Sequence, residues 1–119
     1  MPEFDKLMGT RRPFLTDGGL ETWLFFQQGF EAPEFAAITL IDDPAARDAL
    51  NNYFDHFLSI AEQAGTGFVL DTNTWRGCPV WADKIGVTGQ ELLAMSARSV
   101  EFAKLVRERW SNRVATDVS

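Results

Sequence analysis

The sequence predicts an α/β fold built on parallel strands with helical crossovers, and three observations carry that prediction. A short apolar run, Pro13-Phe14-Leu15, stops at Thr16-Asp17, and two glycines, Gly18 and Gly19, free the backbone before a helical stretch begins. A second run, Gly67-Phe68-Val69-Leu70, turns suddenly polar in Asp71-Thr72-Asn73-Thr74-Trp75-Arg76. Between the two lies a long amphipathic helix, the crossover that a parallel pair requires. Polar groups gathered at the carboxyl ends of successive parallel strands are how such folds build sites, so the chain is expected to carry part of one.

Taken in order, residues 1–12 are polar and read as a loose lead-in, and residues 13–17 as a short buried strand. Leu20 to Gln28 holds good helix formers with Trp23, Leu24, Phe25 and Phe26, and Gly29 stands where that helix would stop. Residues 30–42 read as an irregular loop broken at Pro33-Glu34-Phe35. The helix over 44–64 has the clearest signals: Asp43 as its cap, Pro44 at its first position and Gly65 after its last turn. Leu50, Tyr53, Phe54, Phe57, Leu58, Ala61 and Ala64 recur along it at spacings of three and four, giving one apolar stripe assigned to the core.

Residues 67–72 form the second strand, nearly continuous in apolar character, as parallel strands covered on both faces are. A short helical piece follows near 79–85. Thr88 and Glu91 then make a capping box for a helix over 89–110, whose inward face reads as Leu92, Met95, Ser96, Ser99, Val100, Ala103 and Val106. Val114 to Val118 reads as the start of a third strand. Two or three strands cannot close a sheet, and a full (β/α)8 barrel takes about 250 residues. Residues 13–119 are therefore expected to be the N-terminal portion of such a barrel, with Leu15, Phe68 and Leu70 turned toward its shared interior.

Composition bounds the function. With 119 residues, 45% hydrophobic and 24% charged, the chain is ordinary globular material of one domain's size. A net charge of −6 argues against a phosphate-backbone partner, so no nucleic acid is expected. Lys104, Arg107 and Arg109 fall late in the last helix, where they complement its dipole. The single Cys78 excludes an internal disulfide and suits a reducing compartment. No leader is visible in the opening residues, and the apolar stretch Phe35 to Ile41 is far too short for a bilayer, so a soluble cytoplasmic protein without a membrane partner is expected.

Three segments together carry a resemblance: Leu15-Thr16-Asp17-Gly18-Gly19-Leu20-Glu21-Thr22, then Pro33-Glu34-Phe35-Ala36-Ala37, then Ala64-Gly65-Thr66-Gly67-Phe68-Val69-Leu70-Asp71-Thr72-Asn73-Thr74-Trp75-Arg76. In order and spacing they resemble the homocysteine S-methyltransferase family over nearly all of residues 13–110. The family is a (β/α)8 barrel that moves a methyl group from a sulfonium, betaine or similar donor to the thiol of homocysteine. Its zinc ion, held by three cysteine thiolates, keeps the sulfur as the nucleophilic thiolate. Those cysteines belong to later strands, so the resemblance implies a chain truncated before its zinc ligands, holding no cofactor itself and inactive alone. A partner chain, or self-association through open strand edges, is the corresponding expectation.

The resemblance also assigns residues. Asp17 matches the acidic group that helps hold the substrate's ammonium, and Gly18 the backbone that approaches its carboxylate; on the residues alone, Asp17 equally suits a cap for the helix near Leu20. Thr72 and Thr74 match the polar strand end lining the amino-acid pocket, or are strand-end hydroxyls bonding the local backbone. Trp75 and Arg76 continue toward the mouth, where the donor would enter. An indole there either faces a sulfonium or quaternary ammonium, or packs. Glu21 reads as first-turn chemistry, His56 as a solvated or edge-packed side chain, and Cys78 as a buried or loop cysteine with no ligand set around it.

Overall fold

Two parallel strands, β1 (Phe14–Thr16) and β2 (Gly67–Val69), pair with Phe14 opposite Gly67, Leu15 opposite Phe68 and Thr16 opposite Val69. A computed structural model describes residues 13–111, with Asp5 and Gly9 ahead of them. The rest of the lead-in and the proposed strand at Val114 to Val118 lie outside the described residues.

The crossover from β1 to β2 begins with α1 (Leu20–Thr22), which widens into a π turn over Trp23–Gln27 closed by the bond from the Gln28 N–H to the Trp23 carbonyl at 2.9 Å. Gly29, with φ of 76°, then turns the chain away. The loop expected over 30–42 is tightened by two 3-10 turns, Pro33–Phe35 and Ala37–Leu40.

The long helix α2 (Pro44–Ala64) has the predicted ends. The Asp43 carboxylate accepts from the Ala45 N–H at 2.9 Å, and Gly65 adopts φ of 67°, the left-handed stop that glycine takes without a Cβ penalty. Ala46, Ala49, Leu50, Tyr53, Phe54, Leu58 and Ala61 are buried, Phe57 half-buried, and Ala64 exposed at the last turn.

After β2 the chain passes through a 3-10 turn (Pro79–Trp81) and the single turn α3 (Ala82–Ile85) into α4 (Gly89–Trp110). Thr88 Oγ1 accepts from the Glu91 N–H at 3.1 Å, as the capping signal requires. The inward face of α4 is largely the expected one: Leu92, Ser99, Ala103 and Val106 are buried and Met95 and Ser96 half-buried, while Phe102 and Trp110 join the buried face and Val100 is 39% exposed. Phe102 and Val100 lie on different sides of a helix that turns about 100° per residue, so with the larger ring buried Val100 falls outside the packed face. Asp55 on α2 accepts from the Trp110 indole N–H at 2.7 Å and pairs with Arg109, tying the two helices at that end.

One correction concerns the sheet. Leu15, Phe68 and Leu70, expected to face a barrel interior, pack instead into the cluster shared with α2 and α4. Alternation along a strand then puts Phe14, Thr16, Gly67 and Val69 on the opposite face. There the Phe14 ring occupies the space above Gly67, with ring carbons 2.4 Å from where a Cβ would stand. Strand pairing is also shorter than predicted, ending at Thr16 and Val69, so residues 70–76 form an irregular carboxyl-end loop.

Candidate functional site

The carboxyl ends of β1 and β2 lie side by side, because the strands are parallel and paired in register. At the end of β1, Asp17 does not cap the following helix: the cap position belongs to Gly19, at φ of 74°, with no side-chain bond. The Asp17 carboxylate turns instead to α2, where the Tyr53 hydroxyl lies 2.8 Å from its Oδ2 and 2.9 Å from the Gly18 carbonyl oxygen. The second oxygen, Oδ1, is buried and without a hydrogen-bond partner.

This environment sets the electrostatics. Burial raises the Asp17 pKa above the ordinary carboxylate value; the Tyr53 hydrogen bond works against that rise, and the carboxylates of Asp71 and Glu21 add to it. The Tyr53 phenol is held far above its ordinary range, by burial first and then by its bond to Asp17. Both shifts follow from removing an anion from water beside other anions.

Tyr53 belongs to the apolar stripe, and its ring packs there, against Trp23, Phe54 and Phe57 with centroids 5.2, 5.2 and 5.0 Å away. Its hydroxyl is the part that the stripe does not explain. Asp71 is the other residue that sequence reasoning passed over, although it stands beside Thr72.

The remaining predicted residues separate into distinct places. Gly18 borders a hollow of about 540 Å³ between α1 and α2, walled by Trp23, Tyr53, His56 and Phe57. Thr72 lines a different groove, against Val100, Ala103, Lys104 and Arg107 of α4, and its hydroxyl lies 2.7 Å from that of Thr74. Gly18 and Thr72 therefore do not meet in one cavity. Trp75, 52% exposed, borders an aromatic hollow of about 230 Å³ with Phe25, Phe26, Phe35 and Glu21.

Arg76 is turned back into the protein. Its guanidinium stacks on Trp75 and Trp81, donates to the Glu34 main-chain carbonyl and lies 3.9 Å from the Glu34 carboxylate. It orders the mouth rather than standing open to a donor. His56 is exposed on α2, and Cys78 is an exposed free thiol in the loop after β2, the second of the two expected placements.

The donor set does not fit the zinc ion that the resemblance implies. Among the described residues no group of three or more His, Cys, Asp or Glu side chains is gathered closely enough to hold a metal, and Cys78 stands alone. No helix among them is long and apolar enough to cross a membrane. Comparison with protein-family models, with curated proteins and with solved structures returns no match to this chain.

Proposed function

We propose that residues 13–119 are the opening part of a (β/α)8 barrel of the homocysteine S-methyltransferase kind, and that Asp17 and Gly18 form the corner that orients an amino-acid substrate. The observation that carries this reading is the half-buried Asp17 carboxylate at the carboxyl end of a parallel strand, with Oδ1 unpaired. An alkylammonium supplies the charge and the donors that such an oxygen lacks. Gly18, with no Cβ, leaves the main chain open to a substrate carboxylate. Trp75 and its aromatic neighbours offer π faces to a cationic methyl donor.

In the reaction this implies, a sulfur–carbon bond forms on homocysteine as the methyl–heteroatom bond of the donor breaks, the heteroatom keeping the electron pair. The described residues bind and orient. The resemblance assigns activation of the thiol to the zinc half of the barrel, and a free thiol with pKa about 8.5 is largely protonated near neutral pH. Binding without turnover is therefore the expected behaviour of this chain alone.

A second reading, a non-catalytic assembly module built from the same elements, is favoured by the sheet face of Phe14, Thr16, Gly67 and Val69, which is turned away from the cluster that holds Leu15, Phe68 and Leu70. Calorimetric titration with L-homocysteine separates the two. The enzyme-derived reading predicts saturable binding that Asp17→Asn abolishes; no binding, or binding indifferent to that substitution, favours the module.

A further inference from the structure

Resting on the reading of Asp17 and Gly18 as a substrate-orienting corner, we propose that Tyr53 is its positioning residue, sharing one hydroxyl proton between the Asp17 carboxylate and the Gly18 carbonyl. The phenol oxygen is 2.8 Å from Asp17 Oδ2 and 2.9 Å from Gly18 O, yet it carries a single proton. An ionised carboxylate is the stronger acceptor, so the proton goes to Asp17 whenever Asp17 is charged. When Asp17 is neutral, its own proton is donated to the phenol oxygen and the phenol proton is donated to Gly18 O. Both arrangements use the same heavy-atom positions.

The two states differ in what they leave open. The neutral state satisfies Oδ2, the phenol and the Gly18 carbonyl together. The charged state leaves the carbonyl without the phenol proton and Oδ1 without any partner, in a setting that holds two further carboxylates, Asp71 beyond β2 and Glu21 on α1. His56, one turn along α2 from Asn52, borders the same hollow as Tyr53 and is exposed. A cation paired with the Asp17 carboxylate selects the charged state and releases a proton if Asp17 had kept one. The surrounding rings of Trp23, Phe54 and Phe57 fix where the hydroxyl sits, so the corner is pre-set before ligand arrives.

Tyr53 is the chain's sole tyrosine, so the ultraviolet titration of phenolate absorption reports this one group. In the unsubstituted chain the phenol should stay protonated until alkaline unfolding; in Asp17→Asn, with the neighbouring anion removed, it should titrate at lower pH. Carbon NMR of the Asp17 carboxyl should show its midpoint rising further in Tyr53→Phe, which keeps the ring and removes the donor. Binding of L-homocysteine to Tyr53→Phe at neutral pH should weaken about tenfold, the loss of one charge-assisted hydrogen bond.

Unchanged midpoints in both titrations overturn the proposal. The Asp17→Asn arm does not depend on Tyr53→Phe folding, which circular dichroism checks. If L-homocysteine fails to bind the unsubstituted chain, the amino-acid reading falls while the titrations still decide the role of Tyr53.

Discussion

Arg76 lies with its guanidinium 4.1 Å from the ring centre of Trp75 while bonding the main-chain carbonyl of Glu34, so the loop after β2 is latched to the turn at Pro33–Phe35. Glu34, Phe35 and Arg76 have φ of 54°, 54° and 62°, the left-handed region that side chains disfavour, and they meet at this latch. Such conformations cost about 1–3 kcal/mol each and persist only where the surroundings over-determine them. Removing the latch with Arg76→Ala should cost about 2 kcal/mol, and Arg76→Lys should restore little, because an ammonium lacks the planar fork that stacks and bonds at once. Thermal melts followed by circular dichroism check the stability. Tryptophan fluorescence checks that Trp75 and Trp81 have been released.

Asp17 is expected to cost stability at neutral pH. Its pKa is raised on folding, so its contribution is most favourable below the ordinary carboxylate value of 3.8 and is lost as pH rises through the higher folded value. Asp17→Asn should therefore melt at a higher temperature than the unsubstituted chain at neutral pH, and the advantage should shrink as pH falls toward that ordinary value. Melting curves across this pH range test it. An Asn variant less stable at neutral pH would mean that the carboxylate is a structural group.

Gly67 is required by its cross-strand neighbour. A Cβ at that position would stand 2.4 Å from the Phe14 ring. Gly67→Ala should destabilise by about 1–3 kcal/mol through overpacking, and Phe14→Leu in the same chain should recover part of the loss. Denaturant midpoints of the two single variants and the double variant measure the coupling. Additive effects would show that the ring and the glycine are independent.

The sheet face formed by Phe14, Thr16, Gly67 and Val69 carries a prediction about solution behaviour. Parallel sheets are ordinarily covered on both faces, and unpaired strand edges invite further pairing. Leu93 and Leu105 on α4 add apolar surface at 55% and 56% exposure. The isolated chain should be helical by far-UV circular dichroism, yet bind the dye ANS or sediment as more than a monomer. A sharply melting monomer without dye binding would show that these residues need no further layer.

Much of this architecture is legible from local chemistry. Asp43, Pro44 and Gly65 delimit α2 because each acts on the backbone beside it, and Thr88 does the same for α4. What escapes the sequence is decided at longer range. Phe14, Leu15, Phe68, Val69 and Leu70 are apolar on both faces of their strands, so alternation alone does not say which set meets the helices. The edge of the packed face of α4 depends on which side chains find room in the core: Phe102 does and Val100 does not. The π turn at Trp23–Gln27 has no local signal distinct from an α-helix.

The site shows the same division. Asp17 and Gly18 are visible at the strand end, but their partner lies 36 residues from Asp17 in sequence, inside an apolar stripe. One signal was present: the chain has ten phenylalanines and one tyrosine, and a buried phenol needs a partner that phenylalanine does not. The separation of Thr72 from Gly18 into different hollows arises because β2 ends at Val69, which places Thr72 beyond the pairing, over α4.

The most direct test of the central claim is the amide NMR signal of Gly18 during titration with L-homocysteine and, separately, with its desamino analogue. Recognition of an amino acid at this corner predicts that the Gly18 resonance shifts saturably with L-homocysteine and barely moves with the analogue, since Asp17 then has no ammonium to hold. Equal shifts with both compounds, or none with either, would contradict the account.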